Sequence, residues 1–487
     1  MANNRKDLRE IARRAMIERD LLPDFSDAAI FELGRIRGAA TSDEPNIRDV
    51  RGLLWASIDN DDSRDLDQLT VADPLPNGSV RVLVAIADVD SLVEKDSALD
   101  AHAKHNTTSV YTAGEIFPML PDELSTDLTS LNETQDRLAI VVEMLIAADG
   151  RVMDSSLFRA LVRNHAKLAY NGVAAWLDES APVPARIENQ PGLQEQLRLQ
   201  DRVAQTLKTR RHQQGALSLT TIEARAVFDG DILTGLDADP KNRAKELIED
   251  FMIAANQATV SYLKRKGVPS LRRILRSPER WERIMQVAAR TGDQLPPEPD
   301  PRALQAFLVK RKQADPVRFP DLSLAVVKLI GRGEYALDES KHSSPDHFGL
   351  AVKGYTHSTA PNRRFPDLIT QRLVKATLAG VALPYNPDEL CYLADHCTDK
   401  EDDAEKVERQ VRKSAAALLL ESHIGQRFDA IVTGAADKGT WVRIFQPPVE
   451  GKLVTGASGL DVGDRVRVEL VSTDVERGHI DFLRVGS

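Results

Sequence analysis

The chain has only two cysteines, Cys391 and Cys397, in 487 residues. Two thiols build no disulfide framework, and Cys-x5-Cys enclosing His396 lacks the spaced ligand pairs of a structural zinc site. A reducing compartment is the natural expectation, and with it a cytoplasmic protein. An export signal is missing too: the N-terminus, MANNRKDLREIARRAM, is charged throughout and has no apolar core. Long hydrophobic runs are absent. The best, Leu138 to Ala148, is broken by Glu143 and falls far short of the roughly 20 residues that span a bilayer, so no membrane association is expected. Aromatic residues are sparse at 5%, and positive charge is in deficit, 64 Lys plus Arg against 74 Asp plus Glu. That deficit counts against a broad nucleic-acid footprint on the exterior. It leaves room for an internal channel lined by cations, with an acidic exterior that limits nonspecific contacts.

What is present is enough apolar material, 42%, for two or three globular domains. The most unusual stretch is Ser57 to Leu69, SIDNDDSRDLDQL, which holds Asp59, Asp61, Asp62, Asp65 and Asp67. Acids so close repel, yet Trp55, Ile58, Leu66, Leu69 and Val71 tie the segment to a core. An EF-hand loop would need Gly and Glu where Arg64 and Thr70 stand, which rules that motif out. Two readings stay open. One is a polar turn before a strand. The other is a magnesium site: Asp65 and Asp67, two apart, point the same way in extended chain while Leu66 points inward, and Asp59 closes on them. Three carboxylates on one spot suit a hard cation with positions left for water and phosphate oxygens.

Along the chain, residues 1–45 are expected to be helical, with Leu8, Ile11 and Ala15 on one face and a second helix starting at Ser26 that carries Ile30, Leu33 and Ile36. Val80, Val82, Val84 and Ile86 alternate as a half-buried strand should, and Leu138–Ala147 and Val152–Val162 flank the hairpin signal Asp149-Gly150. Between them Ser109 to Ser125 is too rich in Pro and Gly for regular structure, and its Tyr111 is a candidate for stacking on a base or for plugging the core. From about 165 to 425 helices dominate. Leu247 to Tyr262 has helical spacing with Glu249 and Asp250 on the polar side, Asp300-Pro301 reads as an N-cap and first helical residue, and a charged helix runs from Glu401 to Ser422. Basic residues cluster at Lys208, Arg210, Arg211 and His212, and at Arg272, Arg273 and Arg276, as candidates for local positive charge. Arg363 and Arg364 precede a helix beginning near Pro366. Cations are unfavourable at a helix N-terminus, so either an anion binds there or the pair meets the carboxylates at 59–67. Five short strands after Gly425 fit an OB barrel. That segment holds eight basic against nine acidic residues, so binding would rest on stacking by Phe428, Trp441 or Phe445, the alternative being barrel core.

Four segments in order resemble the ribonuclease II/R family of processive exoribonucleases: SIDNDDSRDLDQL, SVYTAGEIFPMLPDELS, LIEDFMIAAN and HFGLAVKGYTHSTAPNRRFPDL. The C-terminal strands are similar to the family's terminal OB domain of the ribosomal-protein S-one type. The resemblance implies an α+β catalytic domain, a mixed sheet surrounded by helices, at 46–424 and an all-β OB barrel at 425–487; before them stands the small helical N-terminal segment at 1–45, for which a helix-turn-helix is one reading. It implies hydrolytic release of 5′ mononucleotides from the free 3′ end of single-stranded RNA with one or two magnesium ions, manganese being the alternative, and no obligate protein partner. Residue by residue, Asp59, Asp65 and Asp67 match the acidic metal and catalytic positions, Asp67 being the indispensable one. Tyr111 matches the aromatic that packs on the 3′-terminal base, and Arg363 and Arg364 match the phosphate-contacting pair. Glu408 matches a glutamate contacting the terminal nucleotide, and Glu249 and Asp250 are expected to reach a ribose.

Three departures accompany the match. The family's fourth acid is Gln68 here, a weaker ligand that removes one formal charge. Ala360 and Asn362 replace Ser and Ile of the family's SPIRR. Only about 55 residues precede the acidic stretch, too few for two N-terminal cold-shock barrels. The first departure keeps a second reading in view: a non-catalytic RNA-binding relative whose metal site has weakened at Gln68.

Overall fold

A computed structural model of the chain describes residues 4–41, 46–220, 224–238, 241–316, 318–338, 347–352, 354–436, 439–460 and 462–486. The N-terminal helices are α1 (Asn4–Glu18) and α2 (Asp27–Leu33). Leu8, Ile11 and Ala15 are buried as their spacing requires, and the Ser26 hydroxyl accepts the Ala29 N–H as an N-cap. Ile30, expected inside, is half exposed, and Ala29 is buried instead. Capping by Ser26 starts the helix at Asp27, which turns Ala29 rather than Ile30 toward the core.

Strands β1 (Arg48–Asp49), β2 (Ala56–Asp59), β3 (Gln68–Pro74) and β4 (Val80–Ala87) precede helix α3 (Ala98–Asn106), and a small hairpin follows, β5 (Val110–Tyr111) and β6 (Ile116–Phe117). Next come β7 (Asp136–Ile146), β8 (Val152–Arg163) and β9 (Ala166–Ala169). Seven of these form one mixed sheet in the order β1-β8-β7-β4-β3-β2-β9, antiparallel except for the pairs β1·β8 and β2·β9. The β7–β8 turn uses Gly150 at φ +77°, as the Asp-Gly signal requires. Strand β4 is not half-buried as its alternation suggested: every residue from Val82 to Ala87 is buried. Its odd positions are Leu and Ala, so both faces are apolar enough to be covered. The Ser109–Ser125 stretch is also more regular than expected. Val110 and Phe117, both buried, pair to make the β5–β6 hairpin, and Glu123–Leu128 forms a widened helical turn.

The helices packed around the sheet are α4 (Tyr170–Leu177), α5 (Ala185–Glu188), α6 (Leu193–Gln213) and α7 (Arg243–Arg265), the last lying along β7 and β8. Strands β10 (Ala224–Asp229) and β11 (Ile232–Ala238) form a hairpin between α6 and α7, and β12 (Ser270–Ile274) pairs with β13 (Glu334–Asp338). Three helices, α8 (Trp281–Arg290), α9 (Pro301–Ala314) and α10 (Phe319–Ile330), share a separate apolar cluster. At the start of α9 Asp300 accepts the N–H groups of Arg302 and Ala303, with Pro301 first in the helix. Helix α11 (Phe365–Ala379) begins one residue before Pro366, and α12 (Pro387–Leu420) runs for 34 residues. It starts well before the expected Glu401 because Asn386 caps it, Pro387 opens it and Asp388 and Glu389 complement its dipole.

The last five strands, β14 (Arg427–Ala436), β15 (Gly439–Ile444), β16 (Glu450–Thr455), β17 (Arg465–Asp474) and β18 (His479–Arg484), close into a barrel ordered β14-β15-β16-β18-β17. This is the OB arrangement. The architecture is therefore a mixed helix and strand body with an all-β barrel. Among the described residues no helix is long and apolar enough to cross a membrane.

Candidate active site

The sheet separates the acidic stretch into two groups. Asp61 and Asp62 lie on the exposed turn between β2 and β3, and Asp62 pairs with Arg225 of β10 at 2.8 Å. Asp59, Asp65 and Asp67 turn inward. Asp59 ends β2, where its Oδ1 accepts the Asn60 N–H at 2.7 Å and the Ser63 hydroxyl at 2.9 Å. The backbone of Leu66 is stitched on both sides, its N–H to the Ser130 hydroxyl and its carbonyl to the Leu131 N–H, each at 2.9 Å. That holds Leu66 in the core and leaves Asp65 and Asp67 beside it.

Asp67 is 1% exposed. Its Oδ1 accepts the Asn362 N–H at 3.1 Å and its Oδ2 faces Arg363 Nε at 3.3 Å. Burial pushes its carboxyl up to about 7, against the opposing pull of Arg363. Burial also raises Asp65, with Arg363 pulling down and Asp59 pushing up, and the Tyr111 hydroxyl donates to Asp65 Oδ2 at 3.4 Å. Withdrawal from solvent, and then Asp65 and Asp67, push Tyr111 itself up to about 12, so it stays a donor. Gln68 opens β3 opposite Ile86 and is buried.

A ready-made cage of three carboxylates does not form. Among the described residues no three carboxylate, imidazole or thiol groups converge closely enough to hold a metal ion. Each inward acid has its own donor instead: the Ser63 hydroxyl for Asp59, the Tyr111 hydroxyl for Asp65, and Arg363 with the Asn362 N–H for Asp67. The set still suits a hard dication. Its atoms are carboxylate oxygens, and Asp59 adds to the cost of ionising Asp65, which a bound cation relieves.

The two arginines have different roles in the structure. Arg363 is 46% exposed. Burial opposes its charge, but Asp67, Tyr111, Asp65 and Asp59 together hold it well above the usual arginine range. Arg364 is the N-cap residue of α11 and pairs with Asp367 one turn on at 2.8 Å. Asp367 is fully buried, and its Oδ1 also accepts the N–H groups of Thr359 and Ala360 at 2.7 and 2.9 Å. The anion expected at this helix N-terminus is thus an internal carboxylate for Arg364, and the alternative of a pair with the acidic stretch holds for Arg363.

Glu408, from α12, accepts the Tyr111 N–H at 2.8 Å and so meets the hairpin that carries the tyrosine, which is 42% exposed. Glu249 and Asp250 are engaged elsewhere. Glu249 pairs with Lys241, and Asp250 is buried and paired with Arg211 rather than open to a ribose. The basic clusters are structural as well: Lys208 meets Glu246, Arg210 Asp149, Arg272 Asp338, Arg273 Glu401 and Arg276 Glu334. Each of these cations has an acidic partner, which offsets the local excess read from the sequence, with Arg210 and Arg276 remaining at the surface. On the barrel Trp441 is half-buried, and Phe428 sits edge-on to the core residue Phe482 at 6.4 Å, which makes it partly core. Phe445 is more open, at 39% exposed.

Sequence reasoning passed over Asp367, and it noted Asn362 only as a departure from the family pattern, with no role. Asp367 stands in the quoted motif, three residues after Arg364, and that i,i+3 spacing in a first helical turn was its signal. Asn362 is fully buried, its backbone holds Asp67 and its side chain hydrogen-bonds Thr129 at 2.5 Å. No local pattern announces that contact, which joins residues 233 positions apart.

Comparison with known proteins agrees with this geometry. Residues 47–380 match the RNB domain, and 426–485 match the RNase II-type exonuclease C-terminal S1 domain. The chain belongs to the RNB-domain family. Among its relatives is Ribonuclease R 1 of Lactococcus lactis, 29% identical over 471 residues, which cover 89% of this chain and 56% of that protein. The chain thus spans about half the length of that curated relative. Its fold is similar to that of Mycoplasma genitalium RNase R in complex with ribose methylated single-stranded RNA (TM-score 0.88, 21% identity, covering 98% of this chain and 78% of that one). It is also similar to the fold of yeast Ssd1, a pseudonuclease (TM-score 0.72, 14% identity, covering 94% of this chain and 57% of that one).

Proposed function

We propose that the chain is a processive 3′-to-5′ exoribonuclease that hydrolyses single-stranded RNA with a free 3′ end to 5′ nucleoside monophosphates. The observation that carries this reading is the convergence of Asp65, Asp67, Arg363 and Tyr111 through direct contacts. The relatives named Ribonuclease R support it. Three units follow: a helical segment at 1–45, a catalytic body at 46–424 and an RNA-binding barrel at 425–487. A cytoplasmic location fits the two free thiols.

In this reading Asp59 and Asp65, with the Gln68 amide as a weaker neighbour, would hold one or two magnesium ions, or manganese. Such an ion supplies an activated water and neutralises charge on the phosphate. The Tyr111 ring packs on the 3′-terminal base while its hydroxyl stays on Asp65, and Glu408 holds the tyrosine's backbone. Arg363, half in solvent, shares its guanidinium between Asp67 and the scissile phosphate, where it offsets the charge that develops as water attacks phosphorus and the 3′ oxygen leaves. Asp67 orients Arg363 and accepts a proton. Arg364 stabilises the turn that presents its neighbour. RNA is told from DNA by the 2′-hydroxyl.

A second reading, an RNA-binding relative without catalysis, is favoured by one observation: Gln68 stands where the family has its fourth acid. Incubation of end-labelled, 3′-extended RNA with magnesium separates the two. Stepwise release of mononucleotides, lost in Asp67→Asn, supports the exoribonuclease; tight binding without products supports the second reading.

A further inference from the structure

Two contacts hold Tyr111 directly, its N–H on Glu408 at 2.8 Å and its hydroxyl on Asp65 at 3.4 Å, and the rest of its position depends on its hairpin. It lies in a hairpin of two residues per strand, and isolated two-stranded hairpins are marginal in water even when longer. Its position must therefore come from what grips the hairpin. The near end is tied to the arginine turn: the Ser109 N–H donates to the Arg363 carbonyl at 3.0 Å, and the Phe365 N–H donates to the Thr107 carbonyl at 2.8 Å. The far end is tied to α1, which lies before the region matched to the RNB domain.

The contact with α1 is intimate. Leu8, Ile11, Ala12 and Ala15 share one apolar cluster with Val110 and Phe117 of the hairpin. At the hairpin turn Gly114 lies backbone against backbone: a Cβ there would stand 2.5 Å from the Arg9 nitrogen and 2.7 Å from the Leu8 carbonyl carbon, so only glycine fits. Glu115, next in the turn, faces Arg13 at 3.4 Å and Arg9 at 3.9 Å. Within the turn the Thr112 hydroxyl donates to the Glu115 carbonyl at 2.6 Å. Displacement of the turn therefore moves the tyrosine.

We propose that α1 is a brace that positions Tyr111 against the 3′-terminal nucleoside, with Gly114 and Glu115 as positioning residues for substrate. The proposal rests on the exoribonuclease reading for its substrate, and on the contacts above for the brace. Loosening the brace weakens the hold on the end of the strand while leaving the acid and arginine cluster in place, so affinity for short RNA falls more than turnover does.

The test uses the full chain with Gly114→Ala and, as a milder variant that keeps the backbone contact, Glu115→Gln. Gly114→Ala is expected to raise KM for a short 3′-ended oligonucleotide about tenfold with kcat changed by less than about threefold, and Glu115→Gln to move the same way by a smaller factor. Hydrogen exchange is expected to quicken in residues 108–117 and stay unchanged in β3 and β4. Combining Gly114→Ala with Tyr111→Ala is expected to add no further loss, since both remove one interaction. Additive losses, or an unmoved KM with unmoved exchange in the hairpin for both variants, overturn the brace. If the unmodified protein releases no mononucleotides the exoribonuclease reading fails by itself, and the exchange measurement still decides whether α1 holds the hairpin.

Discussion

The guanidinium of Arg363 meets the Asp67 carboxylate at 3.3 Å, with the acid 1% exposed and the arginine 46% exposed. The pair thus crosses the boundary between the core and the open site. Its buried member is held by the Asn362 N–H as well, and its exposed member reaches the open side. Burial pushes the Asp67 carboxyl up to about 7, against the pull of Arg363.

Asp67→Asn is expected to lower kcat by about a thousandfold, because the proton acceptor and the charge that orients Arg363 go together. Thermal stability is expected to hold, since an amide replaces a buried acid whose ionisation is already disfavoured. Single-turnover kinetics beside a melting curve check this. A variant that loses activity only because it unfolds would count against the catalytic assignment.

The two arginines are expected to fail in different ways. Arg363→Ala is expected to cost about a hundredfold in kcat with little change in stability. Arg364→Ala leaves Asp367 buried with its backbone donors alone, and is expected to destabilise the fold by about 3 kcal/mol. Denaturant titrations of both variants read the contrast, and equal stability losses would remove it.

Gln68→Asp restores a charged ligand at the family's fourth position and is expected to lower the magnesium concentration for half-maximal activity several-fold. Magnesium binding by calorimetry gives the same readout without turnover. No change in either would mean that this position holds no ion.

His102, on α3, stacks against Phe25 at 4.1 Å and is 5% exposed. Burial lowers its pKa from 6.5 to about 4. The unfolded chain then takes up a proton that the fold refuses, so this group's contribution is present above 6.5 and is lost as pH falls toward 4. His102→Phe keeps a ring beside Phe25 and removes the titration. Between roughly pH 7 and pH 5 the unmodified protein is expected to lose about 2 kcal/mol more stability than the variant. Parallel curves for the two proteins would show that His102 is not the titrating group.

Much of this protein was legible in local pattern. Caps, turns and periodicity act within a few residues, so Ser26, Asp300-Pro301, Asp149-Gly150 and the five barrel strands were each readable where they stand. The acidic stretch stood out as well, since repulsion among close carboxylates anchored to a core needs an explanation. Tertiary structure decided which partner each charge has. Arg211 and Asp250, or Arg272 and Asp338, look like free charges along the chain and are matched pairs in the fold. Gln371 donates to the Ala87 carbonyl at 2.7 Å, and the Ala87 N–H donates to the Asp67 carbonyl at 3.0 Å, so α11 and the sheet together hold Asp67. The sequence by itself determined which acids, arginines and tyrosine are available and which local elements carry them. Only folding brought Asp67, Arg363 and Tyr111 together, because Arg363 lies hundreds of residues along the chain from the other two and even the Tyr111–Asp65 contact spans 46 positions, beyond the reach of any local preference.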